Sequence, residues 1–215
     1  MQFEILATGS RGNAVLIGNQ EILIDCGVPM AKLDPYADKL KLVLLTHIHG
    51  DHFNKSTVKA LARRRPTLRF ACGAFLVEAL LGAGVDKRNI DVCTEESAFY
   101  YPSLSAMVCA YILVHDVENL AYLVKMGREQ MFYATDTGTL DHISVPGCDL
   151  YMIEANHTRE DIEARKKAKQ AAGQYAYESR AAATHLSQEQ AMDWLYRNMK
   201  PHSQYVFLHQ HEEKE

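Results

Sequence analysis

The chain has 215 residues, of which 47% are hydrophobic and 23% charged, and its formal net charge is −4. These values are typical of one globular domain with a full core, and they exclude a disordered chain or one that is basic overall. The five cysteines are widely spaced without a C-x-x-C pair, and neither a signal peptide nor a membrane-spanning segment is visible. The sequence therefore predicts a single domain over residues 1–215, in the cytoplasm, with reduced thiols.

The first hundred residues predict strands followed by two helices. The predicted strands, in chain order, are residues 3–7, 14–17, 21–25 and 42–45. Glycine-containing turns separate the first three strands. The predicted helices are residues 56–65, ended by Pro66, and residues 74–81, closed by Gly82.

The second half of the chain again predicts strands and then helices. The predicted strands are residues 107–114, 120–126, 130–135, 150–154 and 204–209. A charged helix is predicted over residues 158–172 and an amphipathic one over residues 187–199. Strand clusters that alternate with helices in two halves indicate an α+β fold, a β-sandwich covered by helices in a four-layer αββα arrangement.

Residues 46–52 read Thr-His-Ile-His-Gly-Asp-His and follow the fourth predicted strand. Imidazole and carboxylate side chains are usual ligands of catalytic divalent metals. Because residues two apart in an extended segment point the same way, His47 and His49 could bind one metal together. Asp51 and His52 then turn away and could bind a second metal nearby. Such a pattern would arise by chance in roughly one such chain per thousand.

Further candidate ligands stand where predicted strands end. These residues are Asp25, His115, Asp136 and His209, each at the end of an apolar run. A strand fixes its terminal residue, so several strand ends can converge on one edge and hold ligands rigidly. Together with the histidine-rich loop they predict one composite metal site. His211 could take the place of His209, although its position in the charged tail favours His209.

The order of these residues resembles that of the metallo-β-lactamase superfamily, whose motifs are an early Asp, H-x-H-x-D-H, a later His, an Asp and a last His. The resemblance implies the four-layer sandwich and two divalent metal ions. The implied ligands are His47, His49 and His115 for the first metal, Asp51, His52 and His209 for the second, and Asp136 as the bridge between them. In the superfamily, Asp25 would orient the histidine-rich loop from behind the ligands.

A bridging Asp in place of Cys points away from β-lactam hydrolysis and favours phosphodiesterases, nucleases, lactonases and thioesterases. Several segments are also similar to the YycJ/WalJ-type subgroup, whose members are described as DNA-processing hydrolases. The similar segments are residues 8–14, 23–27, 114–116, 154–157, 173–177 and 184–187. The resemblance implies a DNA phosphodiesterase or exonuclease that acts through a hydroxide bridging the metals, with Asp51 and Asp136 needed for catalysis.

Five further residues are candidates for catalysis or for support of the site, each with a structural alternative. His185 could donate a proton to the leaving oxygen or contact phosphate, or could buttress the start of the following helix. Ser10 and Asn13 could bind substrate or simply form a tight turn. Asn156 and His157 could lie behind the metal ligands, or could cap the helix at Thr158.

His and Asp ligands without Cys suit zinc, manganese or iron alike.

The subgroup resemblance makes DNA the expected partner, as the substrate. No membrane partner is expected, and the oligomeric state is left open. Two alternatives remain at the level of sequence. One is a small-molecule hydrolase acting on a lactone, thioester or cyclic phosphodiester, which the acidic net charge favours slightly. The other is a binding module that keeps the fold without catalysis.

Overall fold

The computed structural model describes residues 1–95, 97–171 and 183–210, and these residues form two six-stranded sheets. In order across the first sheet the strands are β1 (Phe3–Ala7), β2 (Ala14–Ile17), β3 (Ile22–Ile24), β4 (Leu42–Leu44), β5 (Arg69–Cys72) and β6 (Ile90–Val92). In order across the second sheet they are β12 (Gln204–Leu208), β11 (Leu150–Glu154), β10 (Glu129–Ala134), β9 (Asn119–Met126), β8 (Ala106–Leu113) and β7 (Ala98–Tyr101).

The described α-helices are α1 (Met30–Leu33), α2 (Lys55–Arg64), α3 (Val77–Gly82), α4 (Arg159–Ala171) and α5 (Gln188–Asn198). Of these, α1–α3 cover the outer face of the first sheet and α5 covers that of the second. One apolar cluster lies between the sheets, a second packs the first sheet against α1–α3, and a third packs the second sheet against α5. The predicted four-layer αββα sandwich is thus confirmed. Among the described residues, no helix is long and apolar enough to cross a membrane.

The predicted strands and helices are present with small shifts at their ends, but four of the described strands and α-helices were not predicted. These are β5, β6, β7 and α1. Each has only three or four residues, too few for an apolar period to stand out from a loop. The predicted helix over residues 74–81 begins as a 3-10 turn (Ala74–Leu76) before α3.

All five cysteines are free thiols, as predicted, and only Cys109 is partly exposed. Burial raises the pKa of the Cys72 thiol and of the Cys93 thiol to about 12. A thiol with such a pKa is almost wholly protonated near neutral pH and is a poor nucleophile. The cysteines are therefore packing residues of the sandwich.

Parallel pairing places several strand ends at one edge of the sandwich. β3 and β4 pair in parallel with Ile24 opposite Leu44, which sets Asp25 beside the start of the histidine-rich loop. On the second sheet β10, β11 and β12 run parallel, with Ala134 opposite Ile153 and Glu154 opposite Leu208. Since parallel strands present their carboxyl ends together, this edge gathers the candidate ligands from both sheets.

One buried hydroxyl joins the two sheets next to this edge. Tyr122 of β9 is fully buried and donates to the carbonyl oxygen of Leu45 at 2.6 Å. We expect Tyr122→Phe to lower the free energy of unfolding by about 1–3 kcal/mol, because a buried carbonyl loses a partner. Urea denaturation would measure it, with Tyr196→Phe as the control. Tyr196 is 90% exposed, so its change should stay within about 0.5 kcal/mol. Equal stabilities of the two variants would contradict this prediction.

Candidate metal centre

The loop after β4 holds a first cluster of imidazole nitrogens. His47 Nε2 lies 3.1 Å from His49 Nδ1, and His115 Nε2, which follows β8, lies 3.4 Å from the same atom. Asp136 Oδ2, beyond the end of β10, lies 3.2 Å from His47 Nε2. These four residues offer ligand atoms that lie close enough together to hold one metal ion.

A second cluster lies beside the first and combines carboxylates with imidazoles. Asp51 Oδ2 lies 3.7 Å from His52 Nε2 and 3.5 Å from His209 Nε2. His52 Nε2 also lies 3.0 Å from Asp136 Oδ2, and His209 Nε2 lies 3.4 Å from Asp136 Oδ1. These four residues form a second group that could hold a metal ion, and Asp136 belongs to both groups.

The donor geometry fits divalent metal ions. Ligands about 2.0–2.1 Å from a tetrahedral zinc ion stand about 3.3–3.4 Å apart, close to the imidazole separations of the first cluster. Moreover, Asp136 Oδ1 is buried and has no hydrogen-bond partner within the described part of the chain. A buried carboxylate oxygen without such a partner is costly unless a cation lies next to it. The clusters therefore suit metal ions better than they suit a closed polar core.

Three residues of the site have left-handed backbone conformations. Asp25, Asp136 and His209 have φ values of 59°, 57° and 50°, each just past the end of a strand. Non-glycine residues seldom adopt such angles, and where they do the surrounding structure holds them there. At each position the turn ends the strand and directs the side chain towards the site.

Hydrogen bonds from behind orient the ligands of the histidine-rich loop. Asp25 is fully buried, and its Oδ2 lies 2.7 Å from His52 Nδ1. Its Oδ1 accepts from the backbone N–H of Thr46 and from the Thr46 hydroxyl, each at 2.9 Å. Asp25 thus lies where the resemblance predicts it, behind the loop, and Thr46 is a contact that the sequence did not single out.

The other candidate ligands also have polar neighbours behind them. The carbonyl oxygen of Thr184 lies 3.1 Å from His115 Nδ1. Because that ring nitrogen is engaged, His115 Nε2 is left to face a metal. Asp116 Oδ1 stands beside two rings, 3.5 Å from His49 Nε2 and 3.1 Å from His115 Nε2.

His209 is held by Asn156. The Asn156 side-chain amide donates to the His209 carbonyl oxygen at 3.1 Å and lies 3.2 Å from His209 Nδ1. Asn156 therefore lies directly behind a candidate ligand, in keeping with the first of its two predicted roles. His157 is buried and its Nδ1 lies 3.4 Å from Asn156 Oδ1, one layer further from the site.

The protonation tendencies differ between the two clusters. Burial lowers the pKa of His47 and of His115, which favours the neutral imidazole that a metal requires. Burial also opposes the protonation of His52, but the charges of Asp136 and Asp25 outweigh it and raise that pKa well above the ordinary value. The carboxylates near His52 therefore stabilise a neighbouring positive charge. A divalent cation would supply such a charge in place of the proton.

His185 stands next to both clusters and pairs with a buried glutamate. Its Nδ1 lies 2.6 Å from Glu154 Oε1, and Glu154 is fully buried. Burial alone would lower the pKa of His185, but the hydrogen bond and charge of Glu154 raise it. Helix α5 is capped instead by Ser187 and Gln190, which form a capping box. Capping of the helix is thus served by residues other than His185.

Glu154 begins the segment 154–157 that is similar to the subgroup, but no role in the site was predicted for it. Its Oε2 accepts from the backbone N–H groups of Thr137 and Leu186, at 3.0 and 3.2 Å. Glu154 thereby connects the turn that carries Asp136 to the loop that carries His185. Its position at the end of an apolar strand could have pointed to it, because the other candidates were chosen by that position.

Asn13 of the Gly-rich turn after β1 contacts the histidine-rich loop. Asn13 is buried, accepts from the Gly9 N–H at 2.9 Å and donates to the carbonyl oxygen of Asp51 at 3.2 Å. Its amide nitrogen also lies 2.8 Å from His52 Nε2. Ser10 is exposed. The turn that contains Asn13 therefore packs against the histidine-rich loop.

Two parts of the predicted site lie outside the described residues. One is the segment 173–177, which carries part of the subgroup resemblance. The other is His211, the alternative to His209. Within the described residues, His209 occupies the second cluster at the end of β12.

Comparison with known proteins agrees with this architecture. Residues 20–209 match the sequence profile described as "Beta-lactamase superfamily domain". A two-sheet sandwich with paired His/Asp clusters at its edge defines a hydrolase of the metallo-β-lactamase fold, a class that implies divalent metal ions. The chain belongs to the beta-lactamase superfamily. Among functionally curated proteins, no significant sequence match was found.

Solved structures share the fold at low sequence identity. The metallo-β-lactamase fold protein YhfI from Bacillus subtilis has a TM-score of 0.72 at 16% identity, covering 99% of this chain and 87% of that one. The short form of human tRNase Z has a TM-score of 0.72 at 14% identity, covering 99% and 93%. Zn²⁺-bound PqqB from Methylobacterium extorquens has a TM-score of 0.68 at 12% identity, covering 98% and 89%. At these identities the similarity establishes the fold.

Proposed function

We propose that this protein is a dinuclear metal-dependent phosphodiesterase that acts on DNA. The first metal would be held by His47, His49 and His115, the second by Asp51, His52 and His209, and both by Asp136. Zinc, manganese and iron all suit this donor set. One observation carries the proposal, namely that Asp136 contributes to both clusters. Its Oδ2 lies 3.2 Å from His47 Nε2 and 3.0 Å from His52 Nε2, and its Oδ1 lies 3.4 Å from His209 Nε2.

The metal ions would supply a nucleophile at neutral pH and neutralise charge on a phosphoryl group. The chain contributes the fixed positions of its ligands. Asp25 orients His52, the carbonyl of Thr184 orients His115, and Asn156 orients His209. Ligands pinned in this way need no rearrangement during the reaction, which is the basis of electrostatic preorganisation.

His185 is the proposed proton donor to the leaving oxygen. Since its Nδ1 is engaged by Glu154 Oε1 at 2.6 Å, its Nε2 remains available to a substrate. The raised pKa keeps a larger fraction of the imidazole protonated near neutral pH. A positioned acid of this kind typically accelerates departure of an alkoxide by 10²–10⁴-fold.

DNA is proposed as the substrate because of the subgroup resemblance in the segments at residues 8–14 and 184–187. The human neighbour is named as a tRNase, which supports phosphodiester chemistry on this fold. The charge of −4 means that affinity for nucleic acid would come from a local surface and from the metal centre.

The test uses purified protein of measured metal content, assayed with manganese and with zinc. The substrates are labelled single- and double-stranded DNA, RNA, bis-p-nitrophenyl phosphate and a lactone. We expect DNA degradation with directional products, loss of that activity on chelation and its return when the metal is restored. The Asp51→Ala variant serves as the control for a contaminating nuclease. A metal-loaded protein that leaves every nucleic acid intact would refute the proposal.

A small-molecule hydrolase is the second candidate. Ile48 lies between two candidate ligands and is 40% exposed, and Val114 precedes His115 and is 49% exposed. Exposed apolar side chains next to a metal centre favour a ligand with an apolar part, such as a lactone or thioester. Turnover of the lactone without cleavage of nucleic acid would establish this alternative.

A further inference from the structure

Asp25 uses its two carboxylate oxygens differently at the metal centre. Its Oδ2 lies 2.7 Å from Nδ1 of His52, a candidate ligand of the second cluster. Its Oδ1 accepts from Thr46, through the backbone N–H and the hydroxyl, each at 2.9 Å. Asp25 Oδ1 therefore does not contact an imidazole directly. The Thr46 hydroxyl stands between it and the first cluster.

The Thr46 hydroxyl also contacts His47, a candidate ligand of the first cluster. Thr46 Oγ1 lies 3.0 Å from His47 Nδ1 and a longer 3.4 Å from His52 Nδ1. Thr46, His47 and Asp25 are all fully buried, so the Thr46 hydroxyl and His47 Nδ1 depend on these neighbours for their hydrogen bonds.

When a metal ion takes the lone pair of His47 Nε2, which lies 3.2 Å from Asp136 Oδ2, the donors and acceptors allow one consistent arrangement. A hydroxyl has a single proton, and an ionised carboxylate can only accept. The Thr46 hydroxyl therefore donates to Asp25 Oδ1 and offers a lone pair to His47. His47 must then carry its proton on Nδ1, which leaves the lone pair of Nε2 to face His49 and Asp136.

We infer that Thr46 is a positioning residue that extends the influence of Asp25 to the first metal. Asp25 would orient one ligand in each cluster, His52 directly and His47 through the Thr46 hydroxyl. This inference rests on the proposed dinuclear centre. The new element is that the buried carboxylate of Asp25 fixes the ring tautomer of one ligand in each cluster, His52 and His47.

One substitution removes the Thr46 hydroxyl, and with it this link and the longer 3.4 Å contact to His52 Nδ1. In Thr46→Val the backbone N–H of Thr46 still bonds to Asp25 Oδ1, and the Asp25–His52 contact is untouched. His47 Nδ1–H would lose its acceptor, so the ring would no longer be held with Nε2 unprotonated. Thr46→Ser keeps the hydroxyl and loses only a methyl group, so it is the matched control.

The experiment measures zinc binding to the wild type and both variants by competition with a chromophoric chelator. Long-range ¹H–¹⁵N spectra of the histidine rings then report which rings bind zinc and which nitrogen of His47 carries the proton. Ring signals are assigned with single His→Gln variants. We expect Thr46→Val to weaken zinc binding at the first cluster by about 10–100-fold, the usual effect of losing a partner behind a ligand. The second cluster should change by less than about twofold, and Thr46→Ser should resemble the wild type at both.

Three results would overturn the inference. They are wild-type affinity at the first cluster in Thr46→Val, equal weakening of both clusters, and equal weakening in Thr46→Val and Thr46→Ser. Thermal unfolding of the metal-free variants shows whether the fold is intact. Because no readout requires catalysis, absence of nuclease activity would contradict the proposed function and leave this test valid. If the wild type bound none of zinc, manganese and iron, the proposed function would fail, whereas a change in the His47 ring signals between metal-free wild type and metal-free Thr46→Val would still test the link.

Discussion

The Asp136→Asn variant is expected to bind divalent metals at both clusters at least about 100-fold more weakly than the wild type. Loss of a partner behind a ligand already costs about 10–100-fold, and Asp136 is proposed as a ligand to both metals. An amide also lacks the negative charge that neutralises the two cations. Phosphodiester hydrolysis should therefore fall to the background rate. Metal titration and steady-state kinetics of the purified variant would measure the two effects.

Two further variants make this result specific. Asp141→Asn alters a carboxylate that pairs with Arg197 and is 77% exposed, so its metal affinity and rate should equal those of the wild type. Asp51→Ala removes a ligand of the second cluster alone, so it should weaken one metal and still abolish turnover. If Asp136→Asn lost one metal while it kept the other at wild-type affinity, Asp136 would not be shared between the clusters.

The His185→Gln variant is expected to cleave DNA about 10²–10⁴-fold more slowly at saturating substrate, the usual contribution of a positioned acid. Bis-p-nitrophenyl phosphate should be affected by only a few-fold, because nitrophenolate is a stable anion that leaves without a proton. Parallel kinetics on the two substrates would measure this contrast. His142→Gln, which alters an exposed histidine, is the control.

The Glu154→Gln variant tests the pair that positions His185. Because the carboxylate of Glu154 orients the imidazole and raises its pKa, we expect the same contrast between substrates. The variant that combines His185→Gln with Glu154→Gln should cleave DNA only a little more slowly than either single variant, since the effects of coupled residues are not additive. If His185→Gln slowed the cleavage of both substrates equally, His185 would support the metal ions or bind substrate and would not act as the acid. If the rate losses of the two single variants were additive in the double variant, Glu154 would not act through His185.

Much of the fold could be predicted because its elements are locally patterned. The strands β8–β11 have long apolar runs, and α5 has an amphipathic pattern with a capping box at Ser187 and Gln190. Short elements such as β5 and β6 escaped prediction, since three or four residues carry little periodicity. These short strands complete the first sheet beside β4, so their order depended on packing that no local pattern records.

The candidate ligands could be predicted for a similar reason. A histidine-rich loop after an apolar strand, and His or Asp at the ends of other strands, are features of local sequence. Two of the contacts behind them could not be predicted. Thr46 contacts Asp25 across 21 positions, and Glu154 contacts His185 across 31 positions. Such pairs depend on strand order and register, which bring distant residues to one edge.

The sequence by itself determined which residues can bind metal and where each stands on its strand, because side-chain chemistry and strand ends are local properties. Only the tertiary structure decided how these residues combine. Parallel pairing of β3 with β4, and of β10 with β11 and β12, places the strand ends together, and left-handed turns at Asp25, Asp136 and His209 direct the side chains inward. The sharing of Asp136 between two clusters is a property of that convergence, because it depends on distances between residues far apart in the chain.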